Sequence, residues 1–378
     1  MFIVERIFGV GTYLLLLLAV CFLLIRTNAS CRATLRCYLV CLCTMAFLYK
    51  PYMTGDLFRI YETMDSFAQL DFVYFWNHHV ASSSVPVARL LYWGMAKTGI
   101  NQLLPVFTAF FCYSVFFYII SRTAELFHIS KRNVASVLFF VMTTSIYISV
   151  IGGIRMMLAL SLIAFAFFKE TVEKRWHLLD LLLYGIAVLT HAMSFVVVGI
   201  CVVVVLTDSE RSILRKIGFA LAVGAVGIAF LAKFNDIAQA LFQKFFYYIS
   251  EEEYYDLWEY VMGGLILVLL FVMMNEYRHL ENKERFAAGK AFHAVTIWSM
   301  AIAICFCFDF SIFYRFGGQL AVVFAIPAMM VTLEETSGKP CRAVHILDFQ
   351  SVLTLFSVLI AVISCTRGSL SSLKFFEL

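Results

Sequence analysis

The sequence predicts an all-α protein that crosses a membrane many times, and three observations predict it. Of the 378 residues, 62% are hydrophobic and only 14% are charged, where a soluble protein carries about 25% charged residues. The mean hydropathy of +0.88 describes more apolar surface than one water-soluble core can hide. Apolar runs near the roughly 17–25 residues that a spanning helix needs recur along the whole chain. None shows the period-of-two alternation of a membrane β-barrel.

Sidedness follows from the basic residues. Six short polar segments, 26–36, 122–133, 169–177, 207–216, 276–290 and 334–348, hold 18 of the 29 lysines and arginines. The excess of positive charge in cytoplasmic loops assigns them to the cytoplasm. The other polar segments, 50–86, 151–155, the neighbourhood of His191, 233–259 and 309–315, are acidic or weakly charged and fall outside. The two sets alternate, which gives about twelve spans with both termini outside.

Taken in order, the first span covers 8–25. Arg26 follows it directly with no small-residue cleavage signal, so it reads as a retained helix. The second covers 35–49. After an outer loop at about 50–86, Pro86–Thr98 is too short to span and too apolar to float, and is expected in the outer interface. Spans 103–121, 134–151 and 155–168 follow. The stretch Leu178–Leu206 is basic at both ends, so it crosses an even number of times. Its turn falls at "THAM", giving spans 178–190 and 193–206 with His191 at the outer tip. Spans 217–232 and 260–275 flank a second outer loop at about 233–259, and 291–308, 316–333 and 349–366 complete the set. The short ones thin the bilayer or stop below its surface. With no internal repeat and no low-complexity linker, residues 1–378 read as a single integral membrane domain.

Several function classes drop out. A net charge of +4 gives no footprint for nucleic acid. The eleven cysteines are scattered through apolar runs without a CxxC pair, as small buried hydrophobes are. No ligand cluster calls for a metal, and no cofactor is expected.

The unusual polar residues fall on the outer side. Arg155 stands near the start of "VIGGIRMMLALSLIAF", Arg315 opens "YRFGGQLAVVFAIP", His191 sits at the hairpin, and Asp56 and Arg59 lie in "GDLFRIYE". An ionisable residue at membrane depth is costly and marks a candidate functional site. Each also has a structural reading. The arginines suit snorkelling to headgroups, Asp56 and Arg59 suit a local ion pair, and His191 suits a hairpin hydrogen bond. One shared pocket explains them together. Arginine's planar fork of donors fits phosphate, and Gly152-Gly153 lets backbone approach a ligand closely before a helix N-terminus that favours an anion. Asp56 or His191 is placed to take a proton from an attacking hydroxyl. The second outer loop is acidic and aromatic. Tyr254, Tyr255 and Trp258, with Glu252, suit both an interfacial belt and stacking on sugar rings.

The order "GDLFRIYE", then "IRMMLALSLIAFA", then "LTHAMSF" resembles the EpsG family of membrane proteins, which is similar to exopolysaccharide and O-antigen polymerases. Gly55, Asp56 and Tyr61 match its outer-loop pattern, Arg155 and Ala159 its arginine-led helix start, and His191 and Ser194 its hairpin. Arg315 with Pro327 fits its C-terminal part. The chain departs in having Gly153 and Ile154 where members often carry Asn or Gln before the arginine.

The resemblance implies a GT-C or Wzy-like bundle in the bacterial inner membrane that polymerises oligosaccharide repeat units carried on undecaprenyl diphosphate. It implies Arg155 and Arg315, with Arg59 as a weaker candidate, on the diphosphate, and His191 or Asp56 as base. It also implies membrane lipid, a flippase and a chain-length regulator as partners, and no metal. The alternative is a flippase or exporter of lipid-linked oligosaccharides.

Overall fold

The structure, a computed structural model, describes residues 2–51, 55–144, 146–175, 178–207, 257–342 and 347–366. Among them the chain is helical, with one isolated bridge between Pro340 and Asp348 and no strand. The helices are α1 (Phe2–Arg26), α2 (Cys31–Leu48), α3 (Asp56–Ala68), α4 (Phe72–Phe75), α5 (Pro86–Ala96), α6 (Leu103–Leu126), α7 (Lys131–Thr143), α8 (Ile146–Gly152), α9 (Ile154–Thr171), α10 (Leu178–Thr190) and α11 (Ser194–Thr207). They continue with α12 (Leu257–Arg278), α13 (Lys283–Cys305), α14 (Phe310–Thr336) and α15 (Phe349–Thr366). Two stretches are π-helical: Trp76–Val80, which continues α4, and Tyr314–Leu320 inside α14.

Among the described residues, six helices are long and apolar enough to cross a membrane: α1, α2, α6, α12, α14 and α15. Shorter apolar helices occupy Asp180–Thr190, Ser194–Thr207 and Gly289–Cys305. The expected span 217–232 lies outside the described residues. The chain is thus an all-α protein with the helices of a multi-pass membrane protein.

The chain divides into two compact units, each discontinuous in sequence. The first unit contains α1, α2, the C-terminal part of α6, α7, the start of α8 and α12 to α15. Its hub is α14, buried along its whole apolar stretch as a helix hydrophobic on all sides must be. α7, α12 and α13 pack on it. Glycines allow the close approach: a Cβ on Gly317 would press on Leu267 and Ala303, and one on Gly263 would run into the Phe313 ring. Buried tyrosines tie α1 to α7 and α8 to α2. Tyr13 Oη donates to the Met142 carbonyl at 2.7 Å and Tyr147 Oη to the Leu42 carbonyl at 3.2 Å, which satisfies each phenol inside an apolar core.

Four of the six basic segments belong to this unit and are knitted together. Arg32 pairs with Glu125 at 2.5 Å, and Lys131 Nζ donates to the Thr27 and Ala29 carbonyls at 2.9 Å. Glu334 accepts from the Ser130 amide at 2.8 Å and from Asn133 at 2.9 Å. Arg285 pairs with Glu335 at 2.9 Å. Glu276 accepts from the Arg342 amide at 2.7 Å. Segments assigned to one side of the membrane by charge alone therefore meet at one end of this unit.

The second unit contains α3 to α5, the N-terminal part of α6, the end of α8, and α9 to α11. α9 and α10 form an antiparallel pair joined by a short connection, with Lys169 and Asp180 paired at 3.3 Å near it. α11 returns after a turn at His191–Met193. The segment expected as an outer loop, 50–86, is largely helical. Leu57, Met64 and Phe67 recur on one face of α3 and are buried, and α3 packs on α5. Rings hold this layer: Phe67 meets Phe75 at 5.0 Å, Phe75 stacks on Trp93 at 5.5 Å, and Trp93 Nε1 donates to the Leu70 carbonyl at 3.3 Å.

Candidate functional site

The site forms in the second unit, at the end where α9 begins. α8 stops at Gly152 and α9 starts after Gly153, whose φ is −86°. Neither Gly152 nor Gly153 needs a positive φ, and a Cβ on Gly152 would meet nothing. The break itself is what matters. It opens a helix whose N-cap carries no side chain to bond the first amides and whose first turn has no acidic residue. Arg155 sits in that turn, half-buried. A cation at a helix N-terminus opposes the macrodipole, so the helix start and the arginine both raise the local positive potential.

α5 adds to it. With 11 residues it is about 16 Å long, too short to span. Its Arg89 and Tyr92 lie one turn apart on one face. The Arg89 guanidinium stands over the Phe67 ring at 5.7 Å. Burial, and then the charge of Arg155, push its pKa below the ordinary arginine value. Tyr92 is 4% exposed. Burial pushes its phenol up to about 12 against the pull of Arg155 and Arg89, with Asp56 adding a smaller push upward. Arg89, Tyr92, Arg155 and Asp56 therefore share one electrostatic neighbourhood. Among the described residues neither Arg89 nor Arg155 forms an ion pair.

The other expected residues are distributed differently. Asp56 opens α3 and reaches Arg59 at 3.9 Å, and both side chains are about 70% exposed, so this is a local surface pair. His191 is half-buried at the α10–α11 turn. Its amide donates to the Ala187 carbonyl and its carbonyl accepts from the Ser194 amide, each at 3.0 Å. Because α9 and α10 are antiparallel, the start of α9 and the end of α10 share one end of the pair, which puts His191 at the Arg155 end. Arg315 belongs to the first unit, half-buried in the π-helical turn of α14. In that turn Gln319 donates to Ser149 at 2.7 Å. Trp258 opens α12 and is 44% exposed. Glu252, Tyr254 and Tyr255 lie outside the described residues.

Arg89 and Tyr92 are the residues that sequence reasoning passed over. The signal was present: Arg89 is a lone charge in the apolar run "PVARLLYW", the same anomaly that marks Arg155. No family model, curated protein or solved structure matches this chain.

Proposed function

We propose that the chain is a polysaccharide polymerase of the bacterial inner membrane, related to the EpsG family. It would join oligosaccharide repeat units carried on undecaprenyl diphosphate at the outer face, within a GT-C or Wzy-like bundle of about twelve spans. A flippase and a chain-length regulator would act beside it. One observation carries the reading: Arg155 holds a half-buried positive charge without an ion pair among the described residues, at a helix start that itself favours an anion.

In the reaction a hydroxyl oxygen of one repeat unit attacks the anomeric carbon of the sugar on a second carrier. The bond from that carbon to the diphosphate oxygen breaks, and undecaprenyl diphosphate leaves with the electron pair. Arg155 stabilises the charge that develops on the leaving group. His191, at the Arg155 end of the α9–α10 pair, takes the hydroxyl proton. Asp56 suits that step less because it is exposed and engaged with Arg59.

The test compares lipid-linked glycans from cells carrying the wild type, a deletion, or Arg155→Ala with verified membrane insertion. The expected result is loss of long polymer in both mutants, with single repeat units accumulating on the carrier at the outer face. Full polymer length in Arg155→Ala rejects the reading. Accumulation confined to the cytoplasmic face assigns the protein to lipid flipping instead.

A further inference from the structure

Tyr92 raises a question that Arg155 alone does not answer. Its side chain is 4% exposed, and its hydroxyl is shielded from solvent with no hydrogen bond among the described residues. A buried donor left unbonded is expensive, and in native proteins such a group calls for an explanation such as a ligand or ion. The hydroxyl sits in the field of two guanidiniums, Arg89 and Arg155. Arg89 is set by the Phe67 ring beneath it, which leaves the edge of its planar fork for another partner. The nearest acid named in this field, Asp56, is already engaged with Arg59. The first amides of α9 have no side-chain cap.

Asp56 apart, these groups are donors, and the two guanidiniums and the helix start are positive. A ligand that satisfies them has many acceptor oxygens, no donors and more than one negative charge. A carboxylate is filled by a single bidentate arginine. Two guanidiniums, a phenol and a helix start match two phosphoryl groups.

We propose that Arg89 and Tyr92 of α5 complete, with Arg155 at the start of α9, a binding site for a diphosphate group. That the diphosphate belongs to a lipid carrier rests on the polymerase reading. The anion site does not. Tyr92 Oη donates to a phosphoryl oxygen, Arg89 and Arg155 each take one phosphoryl group, and the like charges of the two arginines are neutralised together.

The test uses the full-length protein in nanodiscs of neutral phosphatidylcholine, titrated with inorganic pyrophosphate and with orthophosphate by calorimetry. Wild type binds pyrophosphate more tightly than orthophosphate. Arg89→Gln and Arg155→Gln each weaken pyrophosphate binding about tenfold or more, and Tyr92→Phe several-fold, as expected for hydrogen bonds to a charged group. Arg32→Gln, a paired arginine of the other unit, binds as wild type.

Tyr92→Phe also melts no lower than wild type, because the lost hydroxyl had no protein partner. A merely structural tyrosine would not show that combination. Arg89→Lys, which keeps the charge, recovers part of the loss and guards against a misfolded glutamine variant. The proposal is overturned if wild type does not bind pyrophosphate, if orthophosphate binds equally well, or if Arg89→Gln and Tyr92→Phe bind as wild type. If the last holds while Arg155→Gln fails to bind, the polymerase reading survives without this site. If binding behaves as expected while Arg155→Ala cells keep full polymer length, the site stands and the polymerase reading falls.

Discussion

The basic end of the first unit and the start of α9 in the second treat positive charge differently. At the basic end of the first unit three cations bridge the segments: Arg285 meets Glu335, Arg32 meets Glu125, and Lys131 donates to two carbonyls. In the second unit Arg89 and Arg155 lie in one another's electrostatic field, and neither forms an ion pair among the described residues. Both ends are rich in arginine, so composition does not separate them. Pairing does. Charges that meet inside the protein hold loops together, while charges left unanswered are available to a ligand.

The contrast is broken most severely by removing an unanswered charge. Arg155→Gln is expected to lower polymer formation by about 100-fold or more, the scale on which loss of one transition-state donor acts, without lowering the melting temperature. Glycan chain length and a melting curve on the same preparation check both halves. If the variant melts early and polymerises normally, the assignment is reversed.

Removing an answering acid from the first unit should do the opposite. Glu334→Ala strips the partner from the Ser130 amide and from Asn133. A loss of about 1–3 kcal/mol in stability is expected, with polymer formed per folded molecule unchanged. Denaturation in detergent alongside a glycan assay normalised to folded protein reads this.

Tyr92→Phe lies between the two. It should stabilise the ligand-free protein by up to about 1 kcal/mol, since it removes a buried unbonded hydroxyl, while slowing polymerisation. A drop in stability would show that the hydroxyl has a structural partner. The smallest effect belongs to Arg32→Ala. Its ion pair is 48% and 43% exposed, so it should cost no more than about 1 kcal/mol. A larger loss would mean that the basic end depends on each of its pairs.

Much of the fold was legible in the sequence, and the reasons are specific. α9 and the α10–α11 turn were readable because an apolar run flanked by charge leaves little choice of where the chain crosses or turns. The meeting of basic segments 26–36, 122–133, 276–290 and 334–348 was foreshadowed by charge alone. α3 was less visible. Its apolar positions Leu57, Met64 and Phe67 follow helical spacing, but the charges between them make the segment look like a loop. Arg89 was hidden by its context: in a segment too short to span, a single charge does not stand out as costly. The two-unit organisation was out of reach, because α6 contributes to both units and only distant contacts reveal the division. The π-helical turns have no compositional mark, since they differ from α-helix only in which carbonyl each amide finds.

One of those turns bears on how a gene for this protein can drift. The stretch Tyr314–Leu320 carries a surplus residue relative to α-helical winding. In an α-helix each residue turns the chain by about 100°. Losing a single codon within this stretch lets it relax to ordinary pitch and leaves every side chain from Ala321 onward against its present neighbours. The same loss early in Ala321–Thr336 would rotate the rest of the helix and pull Glu334 away from Ser130 and Asn133. Length changes in related genes should therefore collect at 314–320, and Arg315 is the residue whose direction they would reset.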